Sequence, residues 1–236
     1  MPLSPSRVDL WFVAQLAKLL GRHRVFDLGV ESAISHHVFG GFWFAACLFV
    51  FWTKGARTGG QKVRLRVLVI LLGSFIAIIL ALLLEKLYSW PPPSHNSALA
   101  HFYPTYLEEN INDNSFPSQS AALYAAVATG IFSLNRLAGW ALWVATGLLV
   151  SLPRIYVGGH YPSDVFVGVG VGILGYSAAK TLLEPALEPH VKCFFEQTTW
   201  LRILAEFVVF VFIWQITVEF DEFVWLKNSL LQYVFK

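Results

Sequence analysis

The stretch Leu152-Pro153-Arg154-Ile155-Tyr156-Val157-Gly158-Gly159-His160-Tyr161-Pro162-Ser163-Asp164-Val165 sets an arginine, a histidine and an aspartate between two uncharged runs. Charge and imidazole are costly inside a bilayer, so a cluster of this kind at a membrane edge marks a functional site by default. The flanking runs, residues 137–153 and 165–179, approach the ~20 apolar residues that a transmembrane helix needs.

The same criterion, applied along the chain, predicts six spans: residues 38–53, 67–84, 116–135, 137–153, 165–179 and 200–218. The first is short and extends back through His36 and His37; the last carries Arg202 and Glu206 near its start. Composition agrees. The 236 residues are 56% hydrophobic and 14% charged, with mean hydropathy +0.58, against about 25% charged in soluble domains. A net charge of +2 excludes a nucleic-acid partner as the reading of choice. Cys47 and Cys193 have no metal-ligand spacing, and no disulfide is expected. No N-terminal stretch has the order of a cleavable signal, so the first span is expected to direct insertion.

The fold class read from this pattern is all-α: a polytopic membrane helix bundle forming one integral domain over residues 1–236. Residues 1–34 are expected to form interfacial helices. Arg7, Gln15 and Lys18 share one helical stripe, with Leu10, Val13, Ala14, Ala17 and Leu20 covering much of the remainder. Gly21 ends that helix and residues 25–35 make a second short element. Residues 38–179 form a five-helix core. Residues 180–236 supply a loop, the sixth helix and an amphipathic tail in which charges alternate with aromatics.

Orientation follows from basic residues. Lys54, Arg57, Lys62, Arg64 and Arg66 crowd the connection between the first two spans, with no acid among them, which predicts a cytoplasmic location. Alternation then places residues 85–116 and 154–164 on the opposite face. Lys86, Ser118 and His160 therefore emerge together, by reasoning that uses no motif.

Arg154, His160 and Asp164 resemble the last signature motif of the type 2 phosphatidic acid phosphatase family. Pro117-Ser118-Gln119-Ser120 is similar to its middle motif, Pro-Ser-Gly-His, at a helix start. Lys86 with the proline-rich exit Pro91-Pro92-Pro93 resembles the first. The resemblance covers residues 84–179. Departures are specific: Pro153 replaces a serine, Gln119 a glycine, Ser120 the middle-motif histidine, and the first-motif arginine is absent. Ser118 has two readings, a helix cap or part of an anion cradle built from first-turn amides; company with Arg154 and His160 favours the second.

The resemblance implies that His160 is the nucleophile, Asp164 its orienter, and Arg154 a phosphate ligand, with Lys86, Ser118, Gln119 and Ser120 around the phosphate. His95 and His101 are candidate proton donors in place of the lost histidine. No metal and no cofactor are expected. A general acid is worth about 10²–10⁴ in rate, yet a phosphate leaving group, whose second pKa is about 6, does not need one. The implied function is thus a lipid diphosphate phosphatase of the polyprenyl diphosphate type, in a bacterial inner membrane with its site facing the periplasm. The alternatives are a phosphotransferase or head-group transferase, and a catalytically silent lipid-phosphate binder or transport protein. The expected partners are the lipid substrate and the surrounding membrane lipids.

Overall fold

A backbone that crosses lipid has no water to bond, so apolar runs wind into helices. The computed structural model describes residues 5–218 apart from 36–37, 58–59, 89, 105–106, 108–113 and 197–198. His36, His37 and the tail after residue 218 lie outside the described residues. Within them the fold is all-α: α1 (Arg7–Ala17), α2 (Arg24–Ser35), α3 (Val38–Arg57), α4 (Gln61–Leu87), α5 (Gln119–Leu134), α6 (Arg136–Ala145), α7 (Leu152–Tyr156), α8 (Pro162–Ala178), α9 (Glu184–Glu196) and α10 (Thr199–Thr217). Wide π-helical turns join α6 to α7 and α8 to α9. Among the described residues three helical stretches are long and apolar enough to cross a membrane, Gln61–Leu87, Arg136–Tyr156 and Pro162–Val191, and three shorter apolar helices pack with them.

Helix α5 is the centre. Every residue from Ser120 to Ala128 is buried, as expected of a helix enclosed on all sides. It lies against α4, α6 and α8. Gly168 and Gly172 of α8 meet α5 so closely that an added Cβ would sit 2.4 Å from Ser118 O and 2.2 Å from Ala122 O. Gly175 meets α4 in the same way, with Ala77 N at 2.8 Å. Small residues permit this approach between membrane helices, where packing rather than water drives association. Gly170, between them in sequence but turned away on the helix, has nothing within 4 Å of an added Cβ.

Three expectations are corrected by the fold. The stretch from residue 180 is not a loop: the helix continues through Ala179–Leu183 and α9 to Glu196, with Pro189 inside it. The apolar stripe of α1 is not given to lipid. Val13, Ala17 and Leu20 are buried against Leu99, Tyr103, Ile155 and Tyr161, while Val8 and Trp11 are exposed on the other side. Last, the basic cluster is not a loop: Lys54 and Arg57 lie in α3, which runs to Arg57, and Lys62, Arg64 and Arg66 lie in α4. Helix α4 begins at Gln61, and Arg64 is buried over the Trp52 ring at 5.0 Å with Nη2 donating to Glu206 Oε1 at 2.7 Å. Trp52 Nε1 donates to the same carboxylate at 3.1 Å. That pairing is why α10 tolerates an acid among its apolar residues.

Replacing Gly172 by alanine should lower stability by about 1–3 kcal/mol, because overpacking outweighs the ~1 kcal/mol propensity gain of alanine over glycine. Gly170→Ala, with nothing to meet, should be neutral or stabilising. Thermal or denaturant unfolding in detergent micelles reads the difference; equal effects would contradict the packing described.

Candidate active site

Helices α6 and α7 form one continuous rod, interrupted by the π-helical turn Thr146–Ser151 just before Pro153. Proline has no N–H and its ring crowds the preceding turn, and a wider turn absorbs both effects. Arg154 is carried on the short α7 beyond it, half-buried. The chain then reverses at Gly158, whose φ of +83° suits glycine. A side chain there would also strike the Tyr103 ring, 2.4 Å from the position of a Cβ. Ser94 N donates to Gly158 O at 3.1 Å and Asn96 Nδ2 to the Tyr161 hydroxyl at 3.0 Å, so the connection between α4 and α5 grips this turn.

His160 follows, half-buried, with Nδ1 2.7 Å from the carbonyl oxygen of Ser115. A carbonyl only accepts, so Nδ1 carries the proton and the neutral ring keeps its lone pair on Nε2. Asp164 is fully buried. Its Oδ2 accepts from the Ser115 hydroxyl in a short hydrogen bond and from Tyr161 N at 2.8 Å, while Oδ1 has no hydrogen-bond partner among the described residues. Asp164, the expected orienter of the ring, is linked to it by way of Ser115, whose hydroxyl binds the carboxylate and whose carbonyl binds the imidazole. Ser115 is the site residue that sequence reasoning passed over. Its contact with His160 is made by its backbone carbonyl, for which residue type gives no signal.

Three hydrogen bonds bring the motif regions together at one end of the bundle. His160 meets Ser115; Ser118 N donates to Asp164 O at 3.1 Å; and Gln119 Nε2 donates to Glu85 Oε2 at 2.6 Å, tying the end of α4 to the start of α5. Lys86, beside Glu85, is exposed. Ser118 is fully buried and caps α5, its hydroxyl accepting from Ala121 N at 3.4 Å. Its side chain thus does what the simpler of its two readings foresaw. Ser120, one step inside α5, is also buried.

Comparison with known proteins bears on what this arrangement is. The family model of the PAP2 superfamily matches residues 66–185. The chain belongs to the PAP2 superfamily. It is similar to the bacitracin transport permease protein BcrC of Bacillus licheniformis, 31% identical over 138 residues, and to the undecaprenyl-diphosphatase BcrC of Bacillus subtilis, 30% identical over 131 residues. Each alignment takes in 56% of this chain, and it spans 61% and 63% of those relatives' own lengths. A shorter stretch of 66 residues, 28% of this chain and 32% of the relative, is 38% identical to the undecaprenyl-diphosphatase of Sulfolobus acidocaldarius. The crystal structure of Aquifex aeolicus LpxE shares the fold at a TM-score of 0.56 and 22% identity, covering 77% of this chain and 99% of that one. The PAP2 match runs from the first turns of α4 to the start of α9, which leaves α1, α2, α3 and α10 outside it.

Within this PAP2 frame the two loop histidines are exposed. His95 ends a 3-10 turn next to Ser94, and the His101 ring packs on Phe102 at a centroid distance of 3.9 Å. No described contact joins either to His160. The nearby phenols are held as neutral groups. Burial, with the Asp164 and Asp9 charges adding to it and the Asn96 bond opposing it, pushes Tyr161 up to about 12; burial and then Tyr161 push Tyr103 up as well. Neither gives up a proton readily near neutral pH.

Nitrogen NMR on histidine-labelled protein should show the neutral His160 ring protonated at Nδ1. Ser115→Ala keeps the carbonyl and so the tautomer, but leaves a buried carboxylate short of a donor; a stability loss of about 1–3 kcal/mol is expected. A ring protonated at Nε2 would contradict the geometry.

Proposed function

We propose that this chain is a membrane-embedded lipid phosphatase that hydrolyses a polyprenyl diphosphate at the periplasmic face of a bacterial inner membrane. One observation carries the reading: the Ser115 carbonyl fixes the His160 proton on Nδ1, which leaves Nε2 as the nucleophilic atom. The undecaprenyl-diphosphatase names of the Bacillus subtilis and Sulfolobus acidocaldarius relatives support a diphosphate substrate, and the basic residues flanking the connection between α3 and α4 support the orientation.

In the reaction, Nε2 of His160 attacks the terminal phosphorus in line with the bridging oxygen. The bond to that oxygen breaks, the lipid monophosphate departs, and a phosphohistidine forms. Water then attacks the same phosphorus and releases inorganic phosphate with His160 restored. The Ser115 carbonyl and, behind it, Asp164 stabilise the positive ring that develops, as an orienting acceptor does in other histidine systems. Arg154 and Lys86 hold the equatorial oxygens, with the first-turn amides of α5 at Gln119 and Ser120 adding dipoles. Phosphoryl transfer depends chiefly on such positioning and electrostatics. The scheme employs no metal. Because Ser120 stands where the family's middle motif has histidine, the leaving group is one that departs without a proton: a lipid monophosphate, whose second pKa is about 6.

Purified protein should release inorganic phosphate from undecaprenyl diphosphate at least tenfold faster than from phosphatidate, and His160→Ala should lower that release by roughly 10³ or more while lipid binding persists. Equal turnover of the two lipids removes the substrate assignment. Release unaffected by His160→Ala removes the nucleophile. Adding acceptor alcohols separates hydrolysis from phosphotransfer, and binding without release in wild type favours the transport reading that the Bacillus licheniformis name suggests.

A further inference from the structure

Helices α1 and α2 lie outside the stretch matched by the PAP2 superfamily, yet both bond directly to the segment that bears Arg154, His160 and Asp164. The need arises at the start of α8. Its cap position is Tyr161, a residue that offers no side-chain cap bond, and Pro162 in the first turn has no N–H. The first helical amide needing an acceptor is therefore Ser163 N. It donates at 3.0 Å to Asp9 Oδ1, from a residue 154 positions away. Asp9 is held in turn by Ser6, whose amide and hydroxyl donate to Oδ2 at 3.0 and 2.6 Å.

A second carboxylate repeats the arrangement on the other side of His160. Asp27 of α2 accepts from the Tyr156 hydroxyl at 2.6 Å and from Gly21 N, in the turn between α1 and α2, at 2.9 Å. Asp9 is 4% exposed and Asp27 fully buried. The apolar stripe of α1 packs on Ile155 and Tyr161, within the same segment. Carboxylates are rarely buried unless they are given partners. Here two of them, with their donors in place, anchor Tyr156 and Ser163 and so bracket the six residues between, His160 among them.

We propose that the α1–α2 hairpin is a clamp that positions His160, with Asp9 and Asp27 as positioning residues anchoring the turn at Ser163 and at Tyr156. The clamp rests on the reading of His160 as the reacting group, and it extends the site beyond the part of the chain that resembles the family. Burial pushes the Asp9 carboxyl up, but hydrogen bonds from Ser6 and Ser163 outweigh it and hold its pKa below the usual 3.8, so it is an ionised acceptor at neutral pH. Misplacing a reacting group by about 1 Å can cost about 10²-fold in rate, which is the scale on which a loosened turn would register.

The test compares wild type with Asp9→Ala, Asp9→Asn and Tyr156→Phe by two readouts. Hydrogen exchange of the amides in residues 157–163 should rise in Asp9→Ala and Tyr156→Phe and return towards wild type in Asp9→Asn, whose side-chain oxygen still accepts from Ser163. Phosphate release from undecaprenyl diphosphate, per folded molecule, should show kcat reduced about 10–100-fold in Asp9→Ala with KM within about twofold, and recovery in Asp9→Asn. Unchanged exchange in both Asp9→Ala and Tyr156→Phe overturns the clamp, as does faster exchange with kcat unaltered. If Asp9→Ala fails to fold, Tyr156→Phe and Asp9→Asn decide by the same criteria. Absence of release in wild type itself, with exchange behaving as described, defeats the phosphatase reading and leaves only the anchoring of the turn by Asp9 and Asp27 established.

Discussion

A carboxylate taken out of water has to be met by hydrogen-bond donors, and the demand of Asp164 organises the end of this bundle that carries His160. Its Oδ2 draws in the Ser115 hydroxyl and the Tyr161 amide. Once Ser115 is held there, its carbonyl faces the His160 ring, and Ser118 N comes within reach of Asp164 O. The segment before α5 and the first turn of α8 are thereby fixed side by side. Ser115 N also donates to Trp90 O at 3.0 Å, and the Trp90 ring packs on Phe116 at 4.4 Å, so the connection leaving α4 joins the same assembly.

Such convergence needs helices that approach closely over their whole length. Gly168 and Gly172 let α8 press on α5, and Gly73 and Gly175 let it press on α4. Membrane helices gain little from expelling lipid, so contact and hydrogen bonding must hold them. Beyond this three-helix centre the joints are polar: Arg64, Trp52 and Glu206 join α3, α4 and α10, and the Tyr124 hydroxyl donates to Ile216 O at 3.2 Å. Tightly packed glycine faces fix the spacing of the inner helices, and paired charges attach the outer ones.

The six apolar helices were legible because hydrophobic run length alone marks a helix that meets lipid, and α4 through α8 follow the expected order. Gly21, with φ of +75°, breaks the N-terminal stretch where its residue type suggests. The rest was hidden for physical reasons. The stripe Leu10, Val13, Ala17 and Leu20 announces an amphipathic helix, but periodicity cannot say whether lipid or protein covers it. Lys180, Glu184 and Pro189 read as a loop, whereas a π-helical turn lets the rod continue through them. Arg154, His160 and Asp164 stood out by residue type and spacing. Ser115 did not, because a carbonyl belongs to every residue, and neither did Asp9, because its partner amide lies 154 positions further along the chain.

The departures from the family pattern become coherent when the site is taken as a whole. At the position where resemblance implies a proton donor, α5 carries Ser120, buried and without an ionisable group. Tyr161 and Tyr103, two phenols beside the turn, hold their protons more firmly than free tyrosine. His95 and His101 face outwards from the connection between α4 and α5. In the proposed reaction the machinery is an oriented imidazole, cations and helix-end dipoles, and no acid is assigned to protonate a leaving alkoxide. Machinery of that kind suits a leaving group that is already a stable anion. In the proposed reaction a diphosphate supplies one and a phosphate monoester does not, so the missing histidine narrows the choice of substrate without removing the means of attack.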